Sequence, residues 1–358
     1  MHILGLCNGS IHGNSEILLK AALEAAKEFD SSITVSWIHV PSVALPRNHK
    51  PIKSDPSIIP YRNDDDKTGK RANGNNNNIP LDDREAVFNA IMDADALIIA
   101  SPVYSHAPAG TLKALADAIL GPYADVSESY RIKARQESGQ ASSSSNGTSN
   151  GSNSSAAVPN PRDLKPRVAG FIAVAGSAPE FPEQWTMALP ALHSVTYSMH
   201  ARVVDQAVFP GFANAGAVLL EAERTLPRAR ALGARVASQM GKPYDEAAYL
   251  GPEEDGACPY CHLLKLEFRD GNAVACVTCG AAGVLAARPD GTIRPAWEQN
   301  SRVSCMTLEG KWKHLDDIVR KLGAERPRLG EIKAEVDRWK NMEFPLVPLP
   351  SNSYNSKM

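Results

Sequence analysis

Five short apolar runs, each followed by a segment with helical spacing, leave few architectures open to this chain of 358 residues. The runs lie at 2–7, 33–40, 96–100, 168–175 and 202–209. Residues 96–100 (ALIIA) and 168–175 (VAGFIAVA) show no polar alternation, so strands built from them must be covered on both faces. Helical periods fill the intervals. The clearest spans 14–29, where Ile17, Leu18, Ala21, Ala22 and Ala25 share a face; others span 82–92, 109–120, 183–199 and 213–240. Asn14 is a good N-cap residue for the first helix. The alternation predicts an α/β fold, a doubly wound five-stranded parallel sheet with helices on both sides.

Two stretches interrupt this scheme, residues 62–78 (RNDDDKTGKRANGNNNN) and 135–160, which is mostly Ser, Asn and Gly. Without large apolar side chains neither repays the entropy of ordering, so both read as disordered insertions in one domain over 1–245. A formal charge of −2 gives no field that gathers nucleic acid or an acidic membrane. No run approaches the ~20 apolar residues of a membrane span. The start, Met-His-Ile-Leu-Gly-Leu-Cys, lacks a basic leader, so a cytoplasmic location is expected. Ser356-Lys357-Met358 differs by one residue from a peroxisomal Ser-Lys-Leu end, a similarity short enough to arise by chance.

In such a sheet, ligands bind beyond the carboxyl ends of the strands. The loop after the first strand reads Asn8-Gly9-Ser10-Ile11-His12-Gly13-Asn14-Ser15-Glu16. Its glycines allow tight turns, its short polar side chains supply donors, and the following helix turns unpaired N–H groups toward it. That chemistry suits a phosphate, and equally an ordinary strand-to-helix turn with a good cap.

The segment Gly9-Ser10-x-x-Gly13-Asn14-Ser15-Glu16-Ile17-Leu18-Leu19 resembles the opening of the NADPH-dependent FMN reductase family, which includes the iron–sulfur flavoproteins. The resemblance continues through 94–104, ending Ser101-Pro102-Val103-Tyr104, then Gly110-Thr111-Leu112-Lys113-Ala114-Leu115-x-Asp117, and then Ala175-Gly176-Ser177 with the stretch to Val204. It covers roughly residues 1–240 and implies a flavodoxin-like domain that binds FMN. By that likeness Ser10, Gly13, Asn14 and Ser15 hold the phosphate. Pro102, Val103, Tyr104, Ser105 and His106 line the flavin ring, and Gly176 and Ser177 close the other side. Ile11 and His12 stand where the family usually has Pro-Arg, so one phosphate-facing cation is either missing or supplied by His12. Residues 41–61 contain no cysteine, which excludes the iron–sulfur cluster that one branch carries there. No side chain is nominated as a catalytic acid.

Residues 258–283 carry two Cys-x-x-Cys pairs, Cys258/Cys261 and Cys276/Cys279, around an Asp270-Gly271 turn. Two strand-like runs flanking Asp-Gly form a hairpin, which brings the pairs together as a four-thiolate tetrahedron. This is a zinc-ribbon-like segment over 251–310. Structural zinc is expected ahead of rubredoxin-type iron, disulfides or free thiols. His262 reads as a hairpin residue, and Cys7 and Cys305 as apolar filler. Seven acidic and four basic residues between 251 and 300 argue against nucleic-acid contact. Trp297 and a helical tail over 311–358 are expected to tie the ribbon down, the tail's mixed charges reading as a solvated helix face.

These readings predict an FMN-dependent NAD(P)H oxidoreductase, a homodimer or higher homo-oligomer, acting on a quinone, a flavin or a similar electron-poor small molecule. The alternative is a non-enzymatic electron-transfer or interaction module with a structural zinc ribbon.

Overall fold

The computed structural model describes residues 1–46, 82–120, 126–138 and 161–345. It divides into two compact units, residues 1–313 and 314–358. The insertion expected at 62–78 lies outside the described residues, as does 139–160 of the second. Residues 135–137, which open that stretch, end a helix instead.

The first unit is built on a parallel sheet of β1 (His2–Cys7), β2 (Thr34–His39), β3 (Ala96–Tyr104), β5 (Arg167–Val174) and β6 (Ala201–Phe209), in the order β2-β1-β3-β5-β6. A two-residue strand β4 (Ala107–Pro108) pairs with the end of β3. This is the flavodoxin-like order. Alternation along each strand sorts side chains to two faces. Ile3, Cys7, Ile98, Ile172 and Val204 meet α1 (Asn14–Phe29) and α7 (Ala222–Gln239) on one side. Leu4, Leu6, Leu97, Ile99 and Phe171 meet α2 (Arg84–Asp93), α3 (Gly110–Ile119) and α6 (Ala188–Val195) on the other. Doubly buried strands of this kind need the continuous apolar runs seen in the sequence.

Some elements differ from expectation. The helix expected over 183–199 is a 3-10 turn at Pro182–Trp185 followed by α6, and the one over 213–240 is a 3-10 turn at Ala217–Glu221 followed by α7. Two helices outside the predicted set, α4 (Val126–Glu137) and α5 (Pro161–Leu164), precede β5.

The ribbon forms an antiparallel sheet in sequential order, β7 (Leu266–Phe268), β8 (Ala273–Cys276), β9 (Ala282–Ala287) and β10 (Ile293–Trp297). The β7–β8 hairpin turns at Asp270-Gly271 as expected, while β9 and β10 add a second hairpin. Trp297 Nε1 donates to Gly256 O at 2.9 Å and fixes β10 on the ribbon's first turn.

The ribbon shares its core with the parallel sheet. Cys258, Cys261, Cys276 and Cys279 pack in the same apolar cluster as Phe171, Leu192 and Met199. Leu250 N donates to Val204 O at 2.7 Å, which occupies part of the open edge of β6. A buried chain of hydrogen bonds runs inward from there. His193 Nε2 donates to Gln206 Oε1 at 2.9 Å, and Gln206 Nε2 donates to Cys261 O at 2.9 Å. Tyr197 donates its hydroxyl to Thr278 O, and Tyr244 its own to Met306 O at 2.6 Å.

Burial holds the fully enclosed His193 down at about 4, so its ring is neutral in the folded protein. An unfolded histidine takes a proton near 6.5, so the unfolded state binds more protons between pH 6.5 and 4. Stability should therefore fall across that window, by up to about 3 kcal/mol from this residue. Urea unfolding at a series of pH values checks it: His193→Gln, which keeps an amide toward Gln206 and has no proton to gain, should give a shallower slope.

Candidate functional site

The chain leaves β1 for β2 on one side and then crosses to β3 on the other, so the strand order reverses between β1 and β3. Hydrogen bonds join the loops at their carboxyl ends, residues 8–13, 105–109, 175–187 and 210–218, around the place where such sheets hold ligands in a crevice. Asn8 joins the first two of these. Its buried amide Nδ2 donates to Ser101 Oγ at 3.0 Å and to Ala109 O at 2.8 Å, and its Oδ1 accepts from Thr111 Oγ1 at 2.6 Å. The sequence reading did not single out Asn8; the available signal was an amide side chain directly after a buried strand.

The loop after β1 closes tightly on itself. Gly13 N donates to Ser10 O at 3.0 Å. A Cβ on Gly13 would stand 2.6 Å from Ser10 Oγ, so no side chain fits at that position. No side chain caps α1. Among the described residues, the N–H groups of Ser10, Ile11, Asn14 and Ser15 have no protein acceptor. An anion at the start of α1 would find those donors and the positive end of the helix dipole.

Two side chains here do other work. Asn14 Nδ2 donates to Phe212 O at 3.2 Å and Asn214 O at 2.8 Å, and its Oδ1 accepts from Val218 N at 3.2 Å. It therefore binds the 212–218 segment to the loop and leaves its own N–H facing the crevice. Glu16, with only 3% of its side chain exposed, accepts from His12 N at 2.8 Å and pairs with Lys20. Burial would raise this carboxyl, but the Lys20 ammonium and the His12 N–H outweigh it and hold it below the ordinary range. His12 takes a left-handed backbone, φ 59, and extends its ring into solvent.

The end of β3 folds back through a two-residue hairpin. Tyr104 pairs with Ala107, and both residues between them are left-handed, Ser105 at φ 48 and His106 at φ 71. Two positive φ values make a type I′ turn, which glycine and asparagine adopt most easily. Here Ser105 and His106 accept strain of order 1–3 kcal/mol each, of the kind that surrounding contacts must hold in place. The holding contacts are present: His106 Nδ1 donates to Glu183 O at 2.7 Å, and Met187 N donates to His106 O at 3.1 Å. The Glu183 carbonyl takes the Nδ1–H, and Nε2 has no partner among the described residues. Pro102 and Val103 are half-buried beneath the turn, while Tyr104 is 65% exposed.

Gly176 and Ser177 follow β5 on the far side. Ser177 O accepts from Gly211 N at 2.7 Å, and a Cβ on Gly176 would touch Ala213 at 3.5 Å. The segment 211–218 thus connects both outer loops of the crevice, through Ser177 at one end and Asn14 at the other.

Away from the crevice, Cys258, Cys261, Cys276 and Cys279 are all buried, and their sulfurs lie within 4.8 Å of one another. The shorter separations are 3.6 Å for Cys258–Cys279 and 3.4 Å for Cys261–Cys276, with no disulfide formed. Metal–sulfur bonds of about 2.3 Å in a tetrahedron place sulfurs about 3.8 Å apart, so the donor set fits one metal ion. Each pair ends in a left-handed residue, His262 (φ 59) and Gly280 (φ 79). His262 is held in that conformation by stacking on Tyr249, centroids 3.9 Å apart, and by Glu253 at 2.9 Å. It stands outside the sulfur cluster. Cys7 is buried filler as expected, whereas Cys305 is half-buried and donates its N–H to Cys279 O at 2.8 Å.

Comparison with known proteins agrees with this arrangement. Residues 1–127 match the family model described as NADPH-dependent FMN reductase. Flavone synthase cfoJ from Aspergillus candidus is 29% identical over 333 residues, which span 91% of each chain. A solved structure described as a flavone reductase superposes with a TM-score of 0.70 at 24% identity, covering 98% of this chain and all of that one. The fold is flavodoxin-like, and the first 127 residues match the pattern of the NADPH-dependent FMN reductases.

Proposed function

We propose that this protein is an FMN-dependent NAD(P)H oxidoreductase that reduces a small electron-poor acceptor. The observation that carries the reading is the uncapped, closed loop at the start of α1 beside the strained hairpin of β3. The N–H groups of Ser10, Ile11, Asn14 and Ser15 would receive the FMN phosphate, with Ser10 and Ser15 hydroxyls beside them. Pro102, Val103, Tyr104, Ser105 and His106 would border the ring on one side and Gly176 and Ser177 on the other. When bound, FMN supplies the hydride and electron chemistry. The chain's part is to fix the ring's position and present polar groups to it. NAD(P)H and a proton are consumed, and the acceptor gains two electrons and two protons.

The exposed side chains of Tyr104, Phe181 and Met187 favour a flat aromatic acceptor. They sit on segments joined by the His106–Glu183 and His106–Met187 bonds. Quinones and free flavins are flat and electron-poor, and so is a flavone, the compound in the names of both relatives described above. His106 Nε2 is placed to accept from a phenolic hydroxyl of such a ring. Oligomers are the expected state, as a homodimer or larger, and the cysteine site is proposed to hold structural zinc, with no coordination position left open for chemistry.

Two measurements test these assignments. The purified protein should take up one FMN per chain, and NADH or NADPH should bleach it; a protein that stays colourless with excess FMN sinks the reading. Gly13→Ala should weaken FMN binding by about 10-fold or more, because its Cβ forces the phosphate loop apart. Metal analysis should find one zinc per chain. Cys276→Ser should abolish it and lower unfolding stability by about 3 kcal/mol or more, because the site lies in the shared core.

A further inference from the structure

The segment that leads from β6 to α7 has little of its own to hold it in place. Gly211 and Gly216 take left-handed backbones, φ 91 and φ 78, and bend it at two points. Between them Ala213, Asn214 and Ala215 are exposed and bring no large apolar side chain to the core. Ordering such a run costs backbone entropy that contacts from outside must offset. At its start, Gly211 N donates to Ser177 O at 2.7 Å and Phe212 N to Ala175 O at 3.0 Å. At its end, Thr225 Oγ1 donates to Val218 O at 2.8 Å. The middle is tied down by Asn14, which reaches it from the first turn of α1.

The hydrogen-bond inventory of Asn14 decides what its side chain can do. A side-chain amide has two N–H hydrogens and one carbonyl oxygen. Both hydrogens are committed, to Phe212 O at 3.2 Å and Asn214 O at 2.8 Å, and the oxygen accepts from Val218 N at 3.2 Å. Two carbonyls facing the nitrogen and one N–H facing the oxygen also fix which way the amide points. No hydrogen on this side chain is left for an anion, and its oxygen would repel one. The backbone N–H of the same residue is unpaired within the protein and faces the crevice. Asn14 thus has two separate attachments, one to whatever anion sits at α1 and one to the 211–218 segment.

That segment forms part of the opposite wall. Ala213 Cα lies 3.5 Å from where a Cβ of Gly176 would stand, so the segment rests against the Gly176–Ser177 loop. We propose that the Asn14 side chain is a positioning residue for the flavin ring, holding 211–218 against that loop. Phosphate bound at the Asn14 N–H then also steadies the wall beside the ring, because one residue carries both contacts. The inference rests on the FMN site proposed above. Restraining a wall before the ring arrives lowers the ordering cost of binding it.

Asn14→Ala tests this, since it keeps the backbone N–H and a good helix former while removing the three side-chain bonds. Riboflavin has the ring of FMN and lacks its phosphate, so titrating both by flavin fluorescence separates the two contributions. Both affinities should fall by about 10-fold in the variant, with the FMN-to-riboflavin ratio unchanged and circular dichroism like the wild type. A side chain that held the phosphate would weaken FMN alone and collapse the ratio, which overturns the proposal. Unchanged affinity for both flavins overturns it as well. Hydrogen exchange of the wild type gives a readout that needs no variant. The Val218 amide, bonded to Asn14 Oδ1, should exchange more slowly by about 10-fold or more once FMN is bound. A Val218 amide that does not respond while those of residues 10–15 slow down rules the coupling out. A wild type that takes up neither flavin fails the FMN site itself and this proposal with it, whereas a bound flavin with a collapsed ratio fails the tether alone.

Discussion

The ladder between β1 and β3 is the constraint on which the crevice depends. Pairing these strands in parallel, with β2 on the outer side of β1, forces the chain to cross over and leaves the two carboxyl ends adjacent. Asn8 then turns adjacency into a fixed geometry. Its amide takes bonds from or gives bonds to Ser101, Ala109 and Thr111, so the loop after β1 cannot shift without the loop after β3. Buried and fully bonded, such a side chain rigidifies its surroundings. The tight loop at Gly13 and the left-handed turn at Ser105 and His106 both stand on that base.

The parallel sheet was legible because its physics is local. Strands buried on both faces must be apolar throughout, and residues 96–100 and 168–175 announce themselves in that way. Four paired cysteines were legible for the same reason, since thiolates that share a metal need fixed spacing. The contacts that finish the site were not legible. Asn14 looks like a cap or a phosphate donor in sequence, yet its side chain spans some two hundred positions to reach Phe212, Asn214 and Val218. The hairpin at Ser105 and His106 lacks the Asn-Gly signal of a type I′ turn, because contacts from Glu183 and Met187, distant in sequence, support it. The second ribbon hairpin carries the same Asp-Gly signal as the first, Asp290-Gly291 between β9 and β10, but it lies beyond the cysteine spacing on which the ribbon was read.

The ribbon changes what the sheet must do. An edge strand such as β6 ordinarily exposes unpaired backbone groups, and proteins guard such edges. Here Leu250 covers part of that edge while Gln206 and Tyr197 reach from the sheet domain into the cysteine segment. The four cysteines belong to the same apolar cluster as Phe171 and Leu192, so they form part of the core and not an appended module.

That shared core has a consequence for how the protein is made. A chain is synthesised from its first residue onward, and its early segments can begin to fold before the late ones exist. The sheet is complete once Phe209 has emerged, but the flank formed by α6 and β6 keeps its apolar side bare until Cys279 follows. During that interval the nascent protein is a natural client for chaperones. The closing of the four-cysteine segment on that flank is then a late step in biogenesis, reached only after the loops of the crevice have been made.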